Sequence, residues 1–87
     1  TILNKHSQYR IISLLLYFGQ RNKTNVNMME IAHSLTHREI ANWLGSSRET
    51  VSRQLENLRK NGLIDYQKRK IVITDTKRLE KKLNSAQ

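Results

Sequence analysis

The feature that most constrains this chain is a pair of helix boundaries set almost back to back. Thr36-His37-Arg38-Glu39 is a capping box, in which a threonine and the glutamate three residues on each satisfy the other's free backbone N–H. Ile40, Ala41, Trp43 and Leu44 follow, and Gly45 stops the run, because glycine adopts left-handed backbone angles without a side-chain clash. Ser46-Ser47 starts a second helix at once. It carries Val51, Leu55 and Leu58 on one face, runs to about Lys60 and ends at Asn61-Gly62. Two helices this close, with the small Ala41 where they cross and Val51 as the apolar lock, are expected to pack as a helix-turn-helix over about residues 36–60.

The flanks supply the rest of a core. Ile11, Leu14, Leu15 and Phe18 keep the i, i+3, i+4, i+7 spacing of one buried face. A first helix is therefore predicted from a cap at Ser7 to Phe18, with Gly19 ending it. A second stripe, Tyr9, Ile12 and Leu16, predicts contact with a further neighbour, and Trp43 is expected to be core or half-buried. Gln20 to Asn27 reads as a loop. Met28 to Leu35 fits either a short strand or a helix, and the strand is preferred because a helix start follows immediately. Leu63 to Tyr66 and Ile71 to Ile73 read as two strands, with Gln67-Lys68-Arg69-Lys70 as the polar tip between them. Thr74 or Asp75 then caps a short charged helix to about Leu83. The expected fold is α+β and mostly helical: a winged helix-turn-helix with a three-helix core, a small antiparallel wing over about 63–73 and a short C-terminal helix. Eighty-seven residues suffice for one core, so residues 1–87 read as a single domain.

Charge narrows the function. A formal net charge of +9 and a pI near 10.4 on so short a chain imply a polyanionic partner. Nucleic acid is the commonest, with an anionic membrane surface as the competitor. The longest apolar run, Ile11 to Phe18, is broken by Ser13 and is less than half the roughly 20 residues that span a bilayer. No small-residue cleavage site follows it, so neither a membrane partner nor a signal peptide is expected. The chain opens at Thr1 rather than Met, as a fragment or processed product would. The absence of cysteine excludes disulfides, iron–sulfur clusters and thiol-based zinc fingers, and fits a cytoplasmic setting. His33 and His37 are four apart, but the Thr36 cap puts them on different elements and no third ligand is near, so no metal site is expected. Nothing suggests catalysis or a cofactor: there is no nucleophile–base constellation, no phosphate-binding glycine loop and no paired acid cluster.

Groove width explains why such a chain would carry a helix-turn-helix. The major groove of B-DNA accepts one α-helix, and residues near its N-terminus meet the base edges. Arg48, Glu49, Ser52 and Arg53 occupy that stretch. Arginine can donate two hydrogen bonds to a guanine, and glutamate can accept one from the cytosine amino group. Ser47 and Thr50, with the free N–H groups of the helix start, suit phosphate oxygens, as do Thr36 and Ser46 at the neighbouring cap and turn. Lys68, Arg69 and Lys70 would add phosphate contacts or reach the minor groove.

Thr36-His37-Arg38-Glu39-Ile40-Ala41, then Leu44-Gly45-Ser46-Ser47-Arg48-Glu49-Thr50-Val51-Ser52-Arg53, Leu58 and Gly62-Leu63-Ile64 resemble the C-terminal DNA-binding domain of the Crp/Fnr transcription regulators. The resemblance runs from about Gln8 to Ile73, and its Ser-Arg-Glu-Thr-Val-Ser-Arg core is quite specific. It implies base reading by Arg48, Glu49, Ser52 and Arg53, phosphate contacts from Ser47 and Thr50, and wing contacts near Gln67 to Lys70. Glu49, Ser52 and Arg53 look like the Fnr pattern, whereas Arg48 looks more like the Crp pattern, so a half-site with a TGA-type core is implied. The resemblance also implies a homodimer in the intact protein and RNA polymerase as a further partner. Two departures stand out. Gln54 sits where the family usually buries an apolar side chain, and the family's N-terminal sensor barrel and long dimerisation helix have no counterpart in these residues. The stripe of Tyr9, Ile12 and Leu16 is a candidate scar of that contact.

Plainer readings compete. Glu49 and Arg53 could form only a surface ion pair, worth about 0.3–0.5 kcal/mol. The wing cations could be a solvated hairpin tip. A winged helix can also serve protein contact, RNA or an anionic surface. A protein-binding one should expose apolar residues where this chain has Arg48, Glu49 and Arg53.

Overall fold

The computed structural model describes residues 2–31 and 35–86. Among the described residues, four helices, α1 (Ile2–Phe18), α2 (His37–Leu44), α3 (Arg48–Lys60) and α4 (Thr76–Ala86), pack with four short strands. The strands are β1 (Gly19–Arg21), β2 (Met29–Ile31), β3 (Ile64–Gln67) and β4 (Lys70–Ile73), and they form one antiparallel sheet in the order β1-β2-β4-β3. The winged-helix expectation holds, with a larger sheet than the two-stranded wing expected from the sequence.

One core joins the elements. Ile11, Ile12 and Leu15 from α1 meet Ile40 from α2, Val51, Leu55 and Leu58 from α3, and Ile31 and Ile73 from the sheet, all fully or almost fully buried. Leu79 is also buried, and Leu83 packs partly against the same core, so α4 closes onto α1 despite its charge. Gln54 is only half-buried, and its apolar neighbours on α3 carry the packing as expected.

Several expectations are corrected. α1 starts at Ile2, so Ser7 lies within the helix and does not cap it. Gly19 does not stop α1 by a left-handed turn; it opens β1, where an added Cβ would come within 2.9 Å of the Met29 side chain and 3.1 Å of the Leu15 carbonyl. Its smallness lets β1 lie against β2. The segment read as a loop from Gln20 to Asn27 begins instead in β1, paired Gln20 to Glu30 and Arg21 to Met29. The remaining loop is closed by Asn22, whose Oδ1 accepts from the N–H groups of Thr24 and Asn25 at 2.8 and 3.1 Å. The strand preferred within Met28 to Leu35 exists as Met29–Ile31. His33, half of the histidine pair, lies outside the described residues. β3 begins at Ile64 rather than Leu63, and α4 runs on to Ala86. Asp75 caps α4, its Oδ1 accepting from the N–H of Arg78 at 3.1 Å, whereas the Thr74 hydroxyl donates to the Gly62 carbonyl.

Trp43 is the largest departure: it is 66% exposed. Leu44 continues the inward face of Ile40 and Ala41, and Trp43 lies about 100° round the helix from Leu44. Its ring meets Phe18 edge-on, with the ring centroids 5.8 Å apart. In the second α1 stripe Ile12 is buried, while Tyr9 and Leu16 are half-buried and Leu16 packs against the domain's own core. Among the described residues, Tyr17 is the large apolar side chain of α1 that stands exposed, at 81%.

Candidate nucleic-acid interface

Hydrogen bonds between near neighbours set the angle between α2 and α3. The Thr36 hydroxyl accepts from the Glu39 N–H at 3.1 Å, and the Glu39 carboxylate accepts from the Thr36 N–H at 3.2 Å, completing the capping box. At the other end Gly45 has φ 62°, and the N–H groups of Gly45 and Ser46 reach back to the Asn42 and Ala41 carbonyls. This is a Schellman stop. Ser47 caps α3, accepting from the Thr50 N–H at 3.1 Å and donating its own proton to the Thr50 hydroxyl at 2.8 Å. A second Schellman stop ends α3. Gly62, at φ 74°, bonds back to Arg59, and Leu63 to Leu58, with both leucines buried.

Val51, Leu55 and Leu58 are fully buried, which fixes the rotation of α3 about its axis. Arg48, Glu49 and Arg53 consequently stand exposed on its first turns. The two ion pairs among the described residues lie elsewhere, Glu56 with Arg59 at 2.7 Å and Asp75 with Arg78 at 4.0 Å. The Arg59 guanidinium bonds to Glu56, holding that carboxyl below its ordinary pKa and Arg59 above its own. Glu49 and Arg53 are therefore outside any ion pair among the described residues, and both can be offered to a ligand. The hydroxyls of Thr36, Ser47 and Thr50 are engaged within their caps, while the first N–H groups of α3 have no helical acceptor. Ser46 is half-buried in the turn.

Ser52 differs from its three neighbours. It is half-buried, and its hydroxyl lies 2.7 Å from Nδ1 of His37, whose Nε2 lies 3.1 Å from the hydroxyl of Tyr66 on β3. The imidazole thus bridges α2, α3 and the wing. His37 stands in the capping-box stretch of the sequence, and no local signal reveals the bridge, since the partners lie 15 and 29 residues away. Burial pushes the Tyr66 hydroxyl above its ordinary pKa, with the nearby Glu56 charge adding to the effect and Arg59 opposing it.

The wing turns more tightly than expected. Gln67 and Lys70 pair across the hairpin, leaving only Lys68 and Arg69 at the tip. Their φ values are 49° and 66°, the two-residue I′ arrangement that favours Asn-Gly. Each non-glycine residue held left-handed costs roughly 1–2 kcal/mol. Lys68, Arg69 and Lys70 are all exposed. The hairpin thus retains two cations at positions where they strain the backbone.

No helix among the described residues is long and apolar enough to cross a membrane, and no cluster of His, Cys, Asp and Glu among them could hold a metal ion.

Comparison with known proteins agrees with this geometry. A family model described as the Crp-like helix-turn-helix domain matches residues 9–82. The chain is 34% identical over 74 residues to a CRP-like cAMP-activated global transcriptional regulator of Mycobacterium tuberculosis, covering 84% of this chain and 33% of that protein. It is 35% identical over 81 residues to the transcriptional activator protein FnrL of Cereibacter sphaeroides, covering 86% and 33%. Among solved structures, the reduced Fe(II) CO-sensing protein from R. rubrum superposes with a TM-score of 0.76 at 28% identity, covering 92% of this chain and 37% of that one. A CRP-family transcriptional regulator from Thermus thermophilus gives 0.71 at 29% identity, covering 88% and 40%. The chain spans about a third of the length of the curated relatives it matches.

Proposed function

Given that the chain belongs to the Crp-like helix-turn-helix domain family, we propose that it binds double-stranded DNA sequence-specifically in the service of transcription regulation. One observation carries this reading: Arg48, Glu49 and Arg53 are exposed on a helix whose rotation Val51, Leu55 and Leu58 fix.

In this reading α3 enters the major groove N-terminus first. Arg48 and Arg53 donate to guanine O6 and N7, and Glu49 accepts from a cytosine amino group. The Thr50 hydroxyl, which accepts from Ser47 and keeps its own proton, and the free N–H groups of the helix start face phosphate oxygens, with Ser46 beside them. Ser47 and Thr36 join them by releasing the protons they give to Thr50 and Glu39. Lys68, Arg69 and Lys70 take phosphates flanking the groove. Two copies bind a two-fold site with TGA-like half-sites whose centres lie about 34 Å apart. Neutralising about 6–8 phosphates per dimer makes affinity fall steeply with salt. RNA polymerase is the further partner this reading anticipates. The competing use, protein contact, would want apolar groups on the outward face of α3, and that face is charged.

Selection of bound duplexes from a random DNA pool, with Glu49→Ala in parallel, tests the reading. A two-fold motif, blurred at one position by the substitution, is expected. Failure to enrich any motif would leave only charge-driven binding.

A further inference from the structure

We propose that His37 is a specificity-determining residue: through its bond to Ser52 it sets whether the Ser52 hydroxyl offers DNA a proton or a lone pair. This rests on the DNA-binding reading above.

Donor counting limits what the three groups can do together. Ser52, His37 and Tyr66 form a chain of polar groups with spacings of 2.7 and 3.1 Å. A neutral imidazole has one N–H and one bare nitrogen, and each hydroxyl has one proton. Two self-consistent arrangements follow. In the first, Ser52 donates to Nδ1, and Nε2–H donates to the Tyr66 oxygen. The Ser52 oxygen then presents only lone pairs, suited to the amino group of adenine or cytosine. In the second, Tyr66 donates to Nε2, and Nδ1–H donates to Ser52. The Ser52 proton is then free for guanine O6 or N7 or thymine O4. The two hydroxyls cannot both give their protons to a neutral imidazole.

The chain couples base reading to the wing. Tyr66 is in β3 and partly exposed, one residue before the wing's cationic turn begins at Gln67. A phosphate can only accept a hydrogen bond, so a phosphate that draws the Tyr66 proton outward selects the first arrangement. Ser52 then favours an amino-bearing base. Tyr66 thereby affects a base preference although it sits on a different element from the base-reading helix.

The test is duplex selection from a random pool with the wild-type protein and four variants. Tyr66→Phe keeps the ring and removes only the hydroxyl, so the fold is undisturbed. His37→Phe removes both bonds. His37→Asn keeps a polar group able to bond Ser52 but cannot also reach Tyr66. Ser52→Ala marks the base-pair position concerned. Tyr66→Phe and His37→Phe are expected to relax preference at the same base pair as Ser52→Ala, by roughly five- to tenfold, leaving the other positions of the motif intact. His37→Asn, whose amide can offer Ser52 either an acceptor or a donor whatever Tyr66 does, is expected to leave that preference relaxed.

If Ser52→Ala relaxes a position but Tyr66→Phe and His37→Phe leave it sharp, or weaken all duplexes alike, His37 only braces the wing and the proposal is overturned. It is also overturned, with the DNA-reading helix intact, if Ser52→Ala changes no position while Glu49→Ala does. A wild-type protein that selects no motif would remove the reading on which the proposal rests, and the proposal with it.

Discussion

The α2–α3 pair and the β3–β4 hairpin both display cations, but they hold them by opposite means. On α3, three fully buried side chains and a cap at Ser47 fix where Arg48 and Arg53 stand. At the wing, Lys68 and Arg69 sit on a two-residue turn in left-handed backbone, exposed and strained. The difference fits two kinds of contact. A base edge is read by hydrogen bonds of fixed direction, so its reader must be rigidly placed. A phosphate needs only a nearby charge, so its contact asks for no fixed direction.

The comparison breaks most visibly if α3 loses its anchor. Leu55→Ala is expected to lower unfolding free energy by about 2–5 kcal/mol in urea titration, because a fully buried leucine leaves a cavity. A loss under about 1 kcal/mol would mean that the core does not set the helix rotation. The wing should respond in the other direction. Replacing Lys68 by Asn and Arg69 by Gly suits the turn, so stability should rise by roughly 1 kcal/mol while affinity for every duplex falls. If stability rose and affinity held, the tip cations would be idle in binding. Lys70→Ala should weaken all DNA alike and reduce the slope of log affinity against log salt by about one. An effect that depended on sequence would move Lys70 into the base-reading group.

The smallest effect is a control remote from both regions. Hydrogen bonds from Asn27 and from the Arg78 N–H hold the Asp75 carboxyl below its ordinary pKa. A carboxylate with a depressed folded pKa stabilises above its unfolded pKa and loses that contribution as pH falls through the folded value. Acid unfolding of the wild type should therefore include an Asp75 component that Asp75→Asn lacks, with stability of the variant flatter across the acid range. An identical acid profile would mean that the α4 cap is not formed.

What could be read in advance follows how far apart the partners are. The caps at Thr36 and Ser47 and the stops at Gly45 and Gly62 are made by residues three to five apart, so their chemistry is written locally. The buried stripe of α3 is likewise fixed by helical period. β1 was illegible because Gly19-Gln20-Arg21 has no strand pattern of its own and exists by pairing with Met29–Ile31. Trp43 was misjudged because an eight-residue helix buries only a narrow face, here Ile40 and Ala41. The residue types of the candidate site were legible, but the state of Ser52 was not, since the groups holding it come from α2 and from the wing.

In the proposed reading, being held in a fixed position to meet a base edge is what separates Arg53 from the cations of the wing. The most direct test measures the affinity of the wild type and of Arg53→Ala for a selected duplex and for each of its single-base-pair variants. Arg53→Ala is predicted to cost roughly 1–3 kcal/mol on the selected duplex and almost nothing further on the variant altered at one particular base pair. A loss of equal size on every duplex would contradict base reading, and would make Arg53 a phosphate contact like those proposed for the wing.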